Sequence, residues 1–339
     1  MENEILISII IPCYNLGNYI DRCINSLKMQ EVKELEFIFV NDGSTDGTLN
    51  KLLAFEKEDN RVIVINKNNE GVSMARNDAL KIAKGEYVLF LDGDDFINSC
   101  ACEEMYALVK DRVSDLLIFG HNVYQNGIIS YFYNHGIPEG EYSLQEFLDV
   151  VKMLPISYKL YKREIIVNYD IYFDSELKYG EVFTYFLNYL RYCDKIYVSN
   201  SRFYNYVVRT GSAVHVLNYE NEVSIIKTVI QIDIYANKFG DKLKSRLCYH
   251  KAVFHLVKAL ILAKYVSLNL RYENVRSAFS TIYNSPLVRK NISFVMSNDT
   301  WSSQDKYISI LLNLSLKLAY NIVSMLYRCK RLLKLMKLK

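Results

Sequence analysis

The chain has 339 residues, half of them hydrophobic and 23% charged, with a net charge of +3. Four prolines and thirteen glycines exclude a collagen-like or low-complexity chain, and the length suits one large domain with an appendage, or two modest ones. Residues 306–339 carry eight basic residues and no acidic one, which leaves a mildly acidic body and argues against nucleic acid as a partner. Seven scattered cysteines without a CxxC pair argue against a disulfide framework and for a reducing compartment.

The first apolar run, Ile5–Ile11, follows acidic residues and ends at Pro12. A secretory signal would need a basic start and a longer apolar core, so this reads as a strand buried on both faces, and the chain is expected in the cytoplasm. Ile20, Cys23, Ile24 and Leu27 then recur at helical spacing. Phe37–Val40 is a second strand, followed by the polar turn Gly43–Gly47 and a helix through Leu49, Leu52 and Leu53. Arg61–Ile65 is a third strand. Ala75, Ala79, Leu80 and Ala83 form a third helix, stopped by Gly85, and Tyr87–Leu91 is a fourth strand. Such alternation predicts a parallel sheet covered by helices. Further on, strands are expected at 115–120, 128–133 and 195–199, helices near 143–153 and 181–191, and helical periodicity from about 217 onward.

Ligands of such sheets bind beyond the carboxyl ends of the strands. The segments there are Pro12-Cys13-Tyr14-Asn15, Asn41-Asp42-Gly43-Ser44, residues 67–71 and Asp92-Gly93-Asp94-Asp95. Three carboxylates in four residues repel one another, and a divalent cation relieves this. Oxygen ligands select Mg²⁺ or Mn²⁺, which bind through one or two carboxylates plus substrate phosphates. With one carboxylate on the ribose and another on the metal, the cluster would hold a nucleoside diphosphate. Asp42 can accept the N–H of a base on which Tyr14 stacks, and Arg76 can face the same cleft. Asp46 reads as the cap of the following helix.

Four segments carry a resemblance: Ile-Ile-Ile-Pro-Cys-Tyr-Asn (9–15), Val-Asn-Asp-Gly-Ser-Thr-Asp-Gly-Thr (40–48), Asn-Asn-Glu-Gly-Val-Ser-Met-Ala-Arg-Asn (68–77) and Tyr-Val-Leu-Phe-Leu-Asp-Gly-Asp-Asp (87–95). In this order they resemble the family 2 inverting glycosyltransferases of GT-A fold. Weaker matches follow at 159–163, 180–181 and 206–212. The resemblance implies an α/β, Rossmann-like, mainly parallel sheet flanked by helices over residues 1–215, then a helical C-terminal region, 216–339. It implies that Pro12, Tyr14, Asp42 and Arg76, with Asn15 and Gly93 of the same motifs, hold the nucleotide. Asp92 would contact the ribose or sugar and Asp94 the Mn²⁺ or Mg²⁺. A UDP-sugar is the expected donor. The expected acceptor is a saccharide or lipid-linked saccharide of cell-surface polysaccharide synthesis.

One position departs from the family pattern. Where the family reads Gly-Glu-Asp, with the aspartate as general base, this chain reads Gly180-Glu181-Val182. Glu181 is the expected replacement. The alternatives are a base recruited from Asp174 or Glu176, or a degenerate subunit that binds nucleotide-sugar without transferring it. A dinucleotide oxidoreductase is disfavoured because no GxGxxG follows the first strand, and a nucleotidyltransferase because no basic glycine-rich loop stands near the start. The tail, with Arg328, Lys330, Arg331, Lys334 and Lys337 interleaved with leucines, reads as an amphipathic segment for an anionic membrane surface, the alternative being a final helix packed on the body with a solvated basic end.

Overall fold

The structure, a computed structural model, describes residues 5–110, 113–125, 127–133, 136–151, 158–177 and 180–209, with Thr228, Gln231 and Ile234 beyond them. One compact unit comprises Met1–Ser175 and Glu181–Thr210; Glu176–Gly180 and Gly211–Lys339 form a second. The expected helical region and the basic tail lie outside the described residues. No helix among the described residues is long and apolar enough to cross a membrane.

The first unit opens with β1 (Ile7–Cys13), α1 (Ile20–Lys28), β2 (Leu35–Asp42), α2 (Thr48–Glu58), β3 (Val62–Lys67), α3 (Val72–Ile82) and β4 (Tyr87–Phe90). It continues through β5 (Phe96–Ile97), α4 (Ala101–Lys110), β6 (Leu116–Gln125), β7 (Ile128–Tyr133), β8 (Gly140–Tyr142) and α5 (Leu144–Val150). It closes with β9 (Lys159–Lys162), α6 (Arg163–Asn168), α7 (Glu181–Leu190) and β10 (Ile196–Val207). The sheet order is β3-β2-β1-β4-β9-β6-β10-β5, with β7 against β6 and β8 against β10.

The parallel reading holds for β3, β2, β1 and β4. The second half is mixed: β9 runs antiparallel to both β4 and β6, and β10 lies parallel to β6. Every residue of β1 and β2 is buried, as strands covered on both faces must be. Pro12 lacks a donor, yet sits in this central strand. Ile10 accepts from Leu91 N–H, so Pro12, two residues on, faces the side where β4 has already ended. In α1, Ile20, Cys23, Ile24 and Leu27 are buried at the spacing the sequence predicts.

Two contacts lock the start of β4 against β1. Gly85 approaches β1 so closely that a Cβ there would stand 2.4 Å from Ser8 N. Beside it the carboxylate of Glu36, 2% exposed, accepts from Ser8 Oγ, Lys84 N–H and Gly85 N–H. These donors make its burial tolerable.

Candidate functional site

The carboxyl ends of β1, β2 and β4 carry the loops that the sequence singles out. Asp42 ends β2 nearly buried, and its Oδ1 and Oδ2 accept from the N–H groups of Glu70 and Gly71 at 2.9 and 2.8 Å. It therefore shapes the loop before α3, while each oxygen keeps a lone pair for a further donor. Asn15, at φ 52°, ties the first loop to the second: its Oδ1 accepts from Thr45 N–H, and its own N–H donates to Ser44 Oγ. Tyr14 beside it is 51% exposed, a ring available for stacking. Asp46 accepts from the N–H of Thr48, the first residue of α2, but the N-cap position itself is Gly47, which has no side chain to cap with.

Arg76 rises from α3 and is buried. Its Nη2 donates to Asp92 Oδ1 at 2.9 Å, its Nη1 to Glu181 Oε1 at 3.2 Å, and its guanidinium lies 5.2 Å from the Phe173 ring centroid. Burial opposes the charge, but the two carboxylates outweigh it and hold Arg76 more firmly protonated than usual. The bridge joins the end of β4 to the head of α7. Arg76 is thus less a free phosphate ligand than the link between Asp92 and Glu181.

The Asp92–Asp95 turn points its three carboxylates in three directions. Asp92 goes to Arg76. Asp95 is turned inward, accepting from Tyr204 Oη and from Val207 N–H, both at 2.7 Å. Burial, reinforced by Asp92 and Asp94, pushes its carboxyl well above the usual range. Asp94 faces the outer cleft, where its Oδ2 accepts from Arg209 Nε. Gly93 lets the turn settle on the first loop, since a Cβ would stand 2.7 Å from Leu16 Cδ1 and 3.1 Å from Cys13 Sγ.

These residues fit a divalent cation. Asp94 offers one outward carboxylate oxygen, and a guanidinium already stands against it as a cation would. Among the described residues no three acidic, histidine or cysteine side chains converge on one point. The remaining ligands would be substrate phosphates and water, the usual arrangement for Mg²⁺.

A family model described as Glycosyl transferase family 2 matches residues 8–169. Glycosyltransferase GlyG of Streptococcus pneumoniae is 29% identical over 70% of this chain and 80% of its own length. The poly(ribitol-phosphate) beta-glucosyltransferase of Bacillus spizizenii is 33% identical over 60% of this chain, but that match spans only 32% of the relative. Among solved structures, Staphylococcus aureus TarS 1-349 in complex with UDP superposes with a TM-score of 0.68 at 22% identity, covering 96% of this chain and 92% of that one. Residues 8–169, the part of the chain that carries the site, thus match the family 2 glycosyltransferases.

Within this GT-A frame, several residues of the site escape sequence reasoning. Tyr204 of β10 accepts from Asp92 N–H at 3.1 Å and donates to Asp95, which fixes the acidic turn from across the sheet. Tyr158 stacks on Tyr204, with ring centroids 3.5 Å apart. Arg209 lies against Asp94 and over the Tyr19 ring, and these residues line a cavity of about 420 Å³ with Arg22 and Tyr124. A smaller cavity of about 70 Å³ opens beside Arg76 and Asp92, walled by Tyr158, Lys159 and Val182. Segments 159–163 and 206–212 gave the only signal, through the family pattern.

Proposed function

We propose that this glycosyltransferase moves a sugar from a UDP-sugar onto a hydroxyl of a saccharide or lipid-linked saccharide acceptor, with inversion, in cell-surface polysaccharide synthesis. The observation that carries this is the placement of Asp42 at the end of β2 and of Asp92 and Asp94 just after β4, with Arg76 bound to Asp92. UDP is favoured because TarS is solved with UDP and with UDP-GlcNAc. A Pyrobaculum calidifontis mannosyltransferase of like fold is solved with GDP-Man and Mn2+, which supports the metal.

In this reading the base lies between Tyr14 and the outer lone pairs of Asp42, with Pro12 and Asn15 holding the loop that carries Tyr14. Asp92 contacts the ribose or sugar, and Gly93 seats the acidic turn against the first loop, so that both loops face the donor. Asp94 holds Mn²⁺ or Mg²⁺, which when bound neutralises charge on the departing diphosphate. Inversion needs no enzyme nucleophile, only a group that takes the proton of the attacking hydroxyl. The basic residues 328–337 would hold the enzyme at the anionic inner face of the membrane.

Calorimetry with UDP, GDP, UDP-GlcNAc and UDP-glucose, with Mn²⁺ and with EDTA, tests the reading. Metal-dependent binding of a uridine nucleotide is the expected result. Binding of none of them, or binding indifferent to metal and to Asp94→Asn, would refute it. Val182, an apolar side chain on the cavity wall beside Asp92, favours a second reading in which the chain binds nucleotide-sugar without transferring it. UDP release from a bound donor separates the two.

A further inference from the structure

We infer that the hairpin of β6 and β7 docks on a lipid bilayer at the depth of the headgroups, and so brings the outer cavity beside Asp94 to the membrane surface. The docking stands apart from the donor reading. Only its use, the presentation of a lipid-linked acceptor, rests on that reading.

The sequence already sets this segment apart, since from Leu116 to Pro138 the chain carries no Asp, Glu, Lys or Arg. Leu116–Gly120 are buried, as a core strand should be, but the uncharged stretch runs on into the hairpin. In β7, Ile128, Ile129, Tyr131 and Phe132 are 66%, 54%, 60% and 63% exposed. Successive side chains of a strand point to opposite faces, so each of these two neighbouring pairs puts apolar surface on both. An apolar patch of this kind marks a surface that meets another phase or another molecule.

Three occupants compete for it. A strand added to β7, which pairs only with β6 among the described residues, would cover its outer edge and neither face. The register shift between Val123 and Tyr124 also bends the ribbon away from the flat ladder that such pairing needs. A globular partner would cover one face. A lipid surface surrounds the tip on all sides. The charges agree with it. The guanidinium of Arg202 lies 4.4 Å from the Phe132 ring centroid, and that of Arg22 lies 4.9 Å from the Tyr124 ring centroid. Both arginines are exposed, and neither forms an ion pair among the described residues. Cations held on aromatic rings beside an uncharged apolar tip match anionic headgroups above acyl chains. The free edge of β7 sets the depth, because its backbone N–H and C=O groups need the water of the headgroup layer and cannot enter the hydrocarbon.

The hairpin also touches the site. Its Tyr124 and Gly127 line the cavity of about 420 Å³ that Asp94 and Arg209 share. A bilayer on the hairpin therefore borders that cavity, and a saccharide carried on a lipid can offer its hydroxyl there without leaving the surface.

Flotation with vesicles of phosphatidylglycerol and phosphatidylcholine compares the full wild-type chain with Ile129→Ser/Phe132→Ser. Both positions are exposed, so the variant should keep its melting temperature and its affinity for UDP. It also keeps the basic tail, so whatever it still binds is the tail's share. The expected loss of partition is about 10–100-fold. Emission of Phe132→Trp, in a chain whose one native tryptophan is removed by Trp301→Phe, should shift to the blue and be quenched by lipids brominated near the carbonyls. Equal partition of wild type and the serine variant overturns the inference, and so does unquenched emission. A dimer that the serine variant dissolves, without any vesicle binding, would give the hairpin to a second copy and overturn it too. Insertion without UDP binding leaves the docking in place and removes the donor reading, whereas UDP binding without insertion does the reverse.

Discussion

Arg209 donates from Nε to Oδ2 of Asp94, so the one outward carboxylate of the acidic turn is already matched by a cation. The pair is only partly shielded, with side chains 24% and 20% exposed. Such a pair contributes no more than about 1 kcal/mol, little enough for a divalent ion arriving with a diphosphate to displace it. Tyr19, lying 4.7 Å under the guanidinium, holds Arg209 near the cleft.

The first prediction follows from that competition. Arg209→Gln should bind Mn²⁺ about two- to fivefold more tightly than wild type without nucleotide, matching an ion pair worth about 0.5–1 kcal/mol. Asp94→Asn should lose metal-dependent nucleotide binding while keeping its melting temperature within a few degrees. Manganese EPR titration reads both. Equal Mn²⁺ affinity in wild type and Arg209→Gln would show that the guanidinium does not compete for the site.

Asp42 gives the second prediction. Asp42→Ala strands the N–H groups of Glu70 and Gly71, each with a desolvation cost of about 1–3 kcal/mol where buried. Because the loop borders solvent, the lower end applies. Asp42→Asn retains one acceptor and should lose less than half as much stability in urea denaturation. Both should weaken uridine nucleotides, since the loop that Asp42 orders borders the proposed base pocket.

What the sequence reveals of this fold is the part governed by uniform burial. Ile7–Cys13 and Leu35–Asp42 are covered on both faces, so their apolar runs are unmistakable and err only by two residues at their ends. β9 is illegible for the opposite reason: Lys159-Leu160-Tyr161-Lys162 has lysines at both ends, and only the fold buries the first. α4, Ala101–Lys110, goes unread although Ala101, Cys102, Met105 and Val109 are buried at helical spacing, because two of the four are small side chains that do not stand out as a stripe. At the site, the acidic cluster stands out by its residue types. The division of labour among Asp92, Asp94 and Asp95 is set by Arg76, Arg209 and Tyr204, which lie 16, 115 and 109 residues away along the chain. No local pattern encodes contacts of that range.

The third prediction concerns backbone packing. A Cβ on Gly85 would stand 2.4 Å from Ser8 N and 2.8 Å from the carbonyl carbon of Ile7. These are backbone atoms of a strand paired on both sides, with no freedom to recede. Gly85→Ala should therefore cost at least the 1–3 kcal/mol of an overpacked core, and it would disturb the donors of Glu36. Gly47→Ala, with nothing within 4 Å, is the control and should cost less than about 0.5 kcal/mol. Equal melting temperatures for the two variants would contradict the close approach.

The last prediction concerns the ionisation of Lys159. Its amine sits near 7 in the folded protein and near its ordinary 10.5 once unfolding exposes it. Between those values the unfolded chain binds more protons than the folded one, so stability rises with pH. The penalty of burying the ammonium is fully present below about 7 and relieved toward 10. Lys159→Met keeps the length and apolar stem without the charge, so its stability carries no such dependence. The variant should therefore be more stable than wild type at pH 6, and the gap should narrow as pH rises to 9. His121 adds a similar slope at lower pH: burial alone brings it to about 4 from 6.5, so stability falls as pH drops through that window in both proteins. Because His121 is common to both, the wild-type-minus-variant difference cancels it and isolates Lys159. Urea denaturation of the pair at pH 6, 7, 8 and 9 gives that difference directly. A constant difference would mean that Lys159 keeps its proton throughout.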